Sequence, residues 1–444
     1  PSYTVYYKDY DTGTIRESSS VATSSVSGNV QITLEGGANA FGNIYLNGSA
    51  GQGKTYIDGN DNFIKLSKVY YEHGEPVDPE KPEEGNQTVP TSALAGFTGL
   101  LKGNYRSSDG KSHKGNLVFS DYQVEFLGRI DGFEQLTVTD RSNLTLNWDQ
   151  ASRRCKNIGI YRIDEESSLS FTATRKAKMN LNLSGAGTVL LSSAQLYEFT
   201  GDLSRFYGTV QVGSGAVMLV KHRNAVLTDN DPKRIATVDL RDGAKLQFSL
   251  SATFGAAVVG TEESVITVEK RSNLNLVFHG DLTGFDGTVQ LLNSKKAVIE
   301  IATTRWDNLN FEVQGNKSWY ETVKITAGSG TISTTGYKGM YFLYGNEVNV
   351  ENNNSTESVI YGGGQEEKVG KTDFTVSSGG TTSFARVFAG GSKSEVEGSA
   401  SLTVESGNID ELFGGGDGRN AAVNGTSELL VQGGTDQCYE PAGY

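Results

Sequence analysis

The sequence predicts an all-β fold, a parallel β-helix (β-solenoid) with coils of about 25 residues. Three observations carry that prediction: short alternating strand runs along the whole chain, two families of internal repeats, and many glycines beside few prolines. Of 444 residues, 55 are Gly and only 7 are Pro. Glycine suits the corners of a coil, where the backbone needs positive φ or a close neighbour. Proline is scarce because a strand flanked on both sides must donate its N–H.

Residues 1–71 read as a β-rich, solenoid-like segment, with Gly28 to Gly37 and Ile44-Tyr-Leu-Asn-Gly48 as strand phrases between corners. Residues 72–90 break the rhythm. They hold four of the seven prolines and much acid, and predict an acidic linker or surface excursion.

Residues 91–350 form the next predicted block of solenoid. Strand runs such as Leu169–Thr172, Val238–Leu240, Leu246–Leu250 and Leu274–Leu276 are bounded by Gly, Asn, Asp or Ser. Three segments share a pattern: Phe126-Leu-Gly-Arg-Ile-Asp-Gly-Phe133, Phe199-Thr-Gly-Asp-Leu-Ser-Arg-Phe206 and Phe278-His-Gly-Asp-Leu-Thr-Gly-Phe285. The last two continue alike, through Gly208-Thr-Val-Gln211 and Gly287-Thr-Val-Gln290. Phe199, Phe206, Phe278 and Phe285 are therefore predicted to point inward at matching positions. The best helix candidate, from Trp148 to Cys155, is two turns at most.

Residues 351–444 carry the Gly-Gly-Gly repeats. Ile360-Tyr-Gly-Gly-Gly364, Val387-Phe-Ala-Gly-Gly391 and Leu412-Phe-Gly-Gly-Gly416 recur at spacings of 27 and 25 residues. Between them lie Phe374-Thr-Val-Ser-Ser-Gly379, Leu402-Thr-Val-Glu-Ser-Gly407 and Leu429-Leu-Val-Gln-Gly433. One such coil cannot enclose its own apolar face. Stacking coils about 4.8 Å apart buries a continuous stripe of Val, Ile, Leu and Phe.

Composition narrows the function classes. Lys and Arg number 39 against 52 Asp and Glu, a net charge of −13, which argues against a nucleic-acid partner. No apolar run approaches the roughly 18 residues that would span a bilayer. Cys155 and Cys438 are too far apart and too few for a disulfide framework or a zinc site. Position 1 is Pro, with no apolar leader after it, so the segment reads as a piece of something longer.

Candidate chemistry is thin. Gly48-Ser-Ala-Gly-Gln-Gly-Lys54-Thr55 matches the phosphate-loop pattern, but Tyr56-Ile-Asp-Gly59 follows where that loop needs a helix. No nucleotide site is expected at Lys54. Asp58, Asn60, Asp61 and Asn62 resemble a partial calcium loop without its final Glu, as does Asp229-Asn-Asp231; turn chemistry explains both. His73, His113, His222 and His279 are scattered. Trp148, Trp306 and Trp319 read as packing rather than as a sugar platform. No catalytic, cofactor-binding or metal-binding residue is assigned, and no cofactor is expected.

The Phe-x-Gly-Asp-Leu-[Ser/Thr]-x-Phe-x-Gly-Thr-Val-Gln phrase resembles the β-strand repeat of bacterial autotransporter passenger domains. The Tyr-Gly-Gly-Gly phrases look like repeats of large bacterial surface adhesins. The first resemblance covers roughly residues 120–300 and the second 355–435; the copy at Phe126 departs, with Arg129-Ile130 in place of Asp-Leu. The resemblance implies an exported, extracellular, cell-surface protein of adhesive or structural role, without catalysis. Its partners would be a glycan or protein on a host or neighbouring cell, or other copies through the solenoid ends. One alternative is a subunit of an extracellular filament or sheath. Another is a β-helical polysaccharide lyase or hydrolase, which needs paired carboxylates about a cleft.

Overall fold

The computed structural model describes residues 97–433 apart from 108, 124, 149–154, 224–226, 228–234, 270–273, 293–296, 315–320, 337, 356 and 379–382. Before them it describes 7–8, 15–16, 24–26, 28–35, 43–46, 55–57, 59–69, 71–72, 75–76 and 91–92. Among the described residues strand makes up 56% and helix 1%, in parallel stacked coils of about 23 residues per turn. The β-solenoid predicted from the sequence is the fold. Its mean turn is a little shorter than predicted, because coils such as the one joining Leu169 to its neighbour Val189 are tighter than the Gly-Gly-Gly coils. Two compact units divide the chain, Pro1–Gly213 and Ser214–Tyr444.

In the first unit one parallel ladder runs through Gln31–Glu35, Phe63–Val69, Ser112–Ser120, Phe133–Thr139, Ile160–Ile163 and Leu183–Gly185. Register stacks like on like: Ile64, Leu117 and Leu136 form one row, and Leu66, Phe119 and Val138 the next inward row, all 0% exposed. A second ladder joins Asn43–Tyr45, Leu100–Lys102, Arg129–Asp131 and Cys155–Lys156. A third joins Asn143–Asn147, Ser168–Thr172, Thr188–Leu191 and Thr209–Val212.

The parallel rule has local exceptions. Asn104–Arg106 pairs antiparallel with the start of Ser112–Ser120, Asn104 opposite Lys114 and Arg106 opposite Ser112. Asp109-Gly110 makes the turn, with Gly110 at φ 83°. Such a pair between alternating runs is a hairpin signal that outweighs the coil rhythm locally. Val69 likewise lies antiparallel to Thr91, across the segment that contains residues 72–90, of which 73, 74 and 77–90 lie outside the described residues.

In the second unit one ladder climbs from Val217–Val220 through Lys245–Phe248, Val265–Glu269, Thr288–Leu292 and Asn308–Gln314 to Gly330–Gly336. It continues through Val348–Ser355, Thr372–Ser378 and Ala400–Val404 to Ser427–Val431. Facing it, a second ladder runs through Ala252–Phe254, Leu274–Phe278, Ala297–Ile301 and Glu321–Ile325. Gly339–Phe342, Val359–Tyr361, Ser383–Phe388 and Asn408–Phe413 complete it. The aromatic ring of Phe311, on the first ladder, meets that of Tyr341 on the second edge to face at 6.2 Å, which marks the interior between them.

The duplicated phenylalanines are buried as predicted: Phe199, Phe206, Phe278 and Phe285 are 0%, 4%, 1% and 1% exposed. Each motif copy makes the same turn. Asp202 Oδ1 accepts the Ser204 N–H at 2.9 Å, and Asp281 Oδ1 accepts the Thr283 N–H at 3.0 Å. Behind each aspartate, glycine is required by space. A Cβ on Gly201 would stand 1.9 Å from the Leu181 carbonyl oxygen, and one on Gly280 1.8 Å from that of Ala256.

Candidate functional surface

Most of the candidate residues singled out in the sequence lie at the corners of the coils. Asn62, in the partial calcium loop, is 1% exposed. Its Oδ1 accepts the Val30 N–H at 2.7 Å and its Nδ2 donates to the Gly59 carbonyl at 2.6 Å. Asn29 Oδ1 accepts the Asp61 N–H, and Gln31 Nε2 donates to Asp61 Oδ2. Adjacent coils are thus tied together by the very groups that would face a cation. Asp58, Asp229 and Asp231 lie outside the described residues. Among the described residues no three His, Cys, Asp or Glu side chains converge as a metal would require.

Lys54 also lies outside the described residues, but Thr55–Ile57 directly after it is a strand, parallel to Ser24–Val26. A phosphate loop aims its N–H groups from a helix start at this position, and here the chain is extended.

The hairpin tip gathers Ser107, Asp109 and His113, residue types that elsewhere make a nucleophile. Ser107 Oγ donates to Asp109 Oδ1, and His113 Nε2 lies 3.0 Å from the same Oγ. The Ser107 hydroxyl thus lies between the Asp109 carboxylate and the His113 imidazole at the turn. The Lys111 ammonium, 2.6 Å from Asp109, and the Ser107 hydroxyl hold that carboxyl well below the usual range. His113 stacks on Tyr105 at 5.3 Å. The cluster closes a turn.

His222 and His279 are exposed and lie on separate coils, while His73 is outside the described residues. Trp148 Nε1 donates to the Lys178 carbonyl at 3.0 Å, and Trp306 Nε1 to that of Ala327 at 3.1 Å. Both indoles are buried pegs between coils rather than a platform for sugars; Trp319 is outside the described residues. Cys155 is in no disulfide among the described residues.

The most developed side-chain row is a buried one that the sequence reading missed. Phe342, Tyr361, Phe388 and Phe413 occupy one register row on the sheet face opposite Tyr341, Ile360 and Val387. Their rings stack nearly parallel, at 4.8, 4.9 and 4.5 Å between successive centroids. The row is 1%, 3% and 3% exposed until Phe413, which is 39% exposed. Its polar rim is Asp417, whose Oδ2 accepts the Tyr361 hydroxyl at 3.1 Å, and Arg386, whose guanidinium lies 5.7 Å from the Phe388 centroid. Beside it the glycine corners run as a bare backbone ladder, Gly363 N–H to Gly390 O and Gly390 N–H to Gly415 O. The signal was present in Tyr361, Phe388 and Phe413, which each precede a glycine corner.

A second polar row crosses these coils. Tyr344 Oη donates to Glu367 Oε2 at 2.8 Å, and Lys324 Nζ lies 5.5 Å from the Tyr344 ring centroid. Burial opposes the Lys324 charge, but the Tyr344 hydroxyl with Glu367 and Glu300 outweighs it and raises the lysine pKa. The Tyr344 hydrogen bond lowers that of Glu367. Such rows bind neighbouring coils to one another.

Among the described residues no helix is long and apolar enough to cross a membrane. No protein-family model, curated protein or solved structure matches this chain, so its fold is established by its own geometry.

Proposed function

We propose that this chain is a structural or adhesive protein of the cell exterior, a stacked β-solenoid whose sides present a binding surface. The observation that carries this reading is the continuity of the side-chain rows. Corner groups such as Asn62 and Tyr344 are engaged in joining one coil to the next, which makes a stiff, repetitive stack. The similarity of its repeats to surface adhesins supports the same reading. The expected ligand is a glycan or protein of another cell, held without chemical change.

Antibody labelling of intact, unpermeabilised source cells tests this. Surface label that is lost on brief external protease treatment is expected. Label that appears only after permeabilisation would overturn it.

A further inference from the structure

We propose that the hairpin of residues 104–114 and the coil corner beside it dock a linear acidic polysaccharide, held through Lys102, Arg106, Lys114, Arg129 and Lys156. The proposal rests on the reading above and names the place and the charge of the glycan.

The chain is acidic, with net charge −13, yet residues 102–114 hold four Lys and Arg against one Asp. Strand alternation turns the cations outward. Leu101 and Ile130 are buried, so Lys102, Arg129 and Asp131 face solvent, and Lys156 pairs with Asp131 on the same side. In the hairpin Tyr105 is buried, which leaves Arg106 outward, and Lys114 outward opposite Asn104. Arg106, Lys114, Arg129 and Lys156 are exposed.

Two contacts join hairpin and corner into one patch. Lys114 Nζ donates at 3.1 Å to the carbonyl of Asn157, the residue after Lys156. The Asn104 side chain packs on Gly132, where a Cβ would stand 2.2 Å from it, and Gly132 follows Asp131. Lys102 and Lys156 flank Asp131 in register, about 10 Å apart.

Elsewhere exposed cations meet a carboxylate of another coil: Arg141 with Glu166 at 3.1 Å, Arg305 with Asp281 at 3.5 Å, Lys368 with Glu395 at 2.8 Å. Among the described residues none of the five cations of the patch forms an ion pair. The acids beside them are engaged, Asp109 with Lys111 at 2.6 Å and Asp131 with Asn157 Nδ2 at 2.7 Å. Like charges gathered on one surface repel, and a bound anion relieves that repulsion.

A polysaccharide fits this patch better than a nucleic acid. Its strands present no exposed Phe, Tyr or Trp on which a base could stack, since Tyr105 is buried against His113. Asn104 and Ser112, set among the cations, match sugar hydroxyls.

Biolayer interferometry over immobilised probes tests this at low and at physiological salt. The probes are heparin for sulfate, polygalacturonate for carboxylate, neutral dextran, and a single-stranded DNA oligonucleotide. Wild-type chain should bind at least one acidic glycan at low salt, more weakly at higher salt, and dextran not at all. Arg106→Glu with Lys156→Glu should weaken binding at least about tenfold, and Lys156→Arg should bind like wild type. Lys178→Gln with Lys245→Gln, exposed cations elsewhere, should stay within about twofold. Unchanged far-UV circular dichroism shows that a variant is folded. Should the charge-reversed pair unfold, Arg106→Gln on the exposed hairpin carries the same test, with a loss of about threefold. A wild-type chain that binds neither acidic glycan at low salt overturns the proposal. So do a charge-reversed chain that binds like wild type and DNA that binds more tightly than both glycans. Surface label on cells whose purified chain binds neither glycan would remove this site and leave the exterior role standing; internal label with glycan binding intact would do the reverse.

Discussion

The ring of Phe388 lies 4.9 Å from that of Tyr361, with the two planes 8° apart. Free aromatic pairs favour edge-to-face or offset contact. The interior obeys that preference, as Phe248 and Phe254 show at 5.1 Å and 79°. On the opposite face, the strand register fixes the geometry: Tyr361 and Phe388 are partners in adjacent parallel strands, whose spacing of about 4.8 Å sets the ring separation.

Truncating the middle of this row should cost far more than truncating its end. Phe388→Ala is expected to lower stability by about 3–5 kcal/mol, because the ring is buried between two others. Phe413→Ala should cost much less, since that ring is 39% exposed and has one described stacking neighbour. Urea unfolding followed by circular dichroism checks this; equal costs for the two variants would contradict the row.

Gly280→Ala should destabilise by about 1–3 kcal/mol, because its Cβ meets a backbone carbonyl that cannot turn away. Gly370→Ala is the control, as nothing lies within 4 Å of a Cβ there. That variant should stay within about 0.5 kcal/mol of wild type. Thermal melting of both, side by side, decides whether close approach governs these corners.

Asn62→Ala removes the partner of the Val30 N–H and of the Gly59 carbonyl at once. A loss of about 1–3 kcal/mol is expected. Adding calcium should leave the wild-type melting point unchanged, since both ends of the Asn62 amide are occupied. A calcium-dependent rise abolished by Asn62→Ala would instead make this corner a cation site.

Alkaline pH should unfold the chain through its tyrosines. Burial, with Asp417 beside it, pushes the Tyr361 hydroxyl from 10.0 up to about 12. Burial raises Tyr122, Tyr161 and Tyr341 as well. A folded-state pKa above the unfolded value favours the neutral, folded form. The Tyr361 contribution is therefore complete below pH 10 and is lost as pH rises through about 12. Tyrosinate absorbance should rise in two phases, the second together with loss of circular dichroism. Titration of all 20 tyrosines in a single phase with the fold intact would rule this out.

Fold class was legible in the sequence because its causes are local and repeated. Alternating apolar residues, an Asx turn at Asp202 and again at Asp281, and a glycine before each such aspartate mark one coil after another. The inward placement of Phe199 and Phe278 followed from that repetition alone. The Asp109-Gly110 hairpin was also legible, and was hidden only by the stronger rhythm around it.

What the sequence determined by itself is the period and the face each residue takes, since both depend on neighbours a few positions away. Tertiary structure alone decided which corner groups meet. Asn62 finds Val30, Trp306 finds Ala327, and Tyr361 finds Asp417 across insertions that shift the register by different amounts from coil to coil. Those contacts depend on how stacked coils align, and alignment is set by the summed packing of whole rows rather than by any one residue.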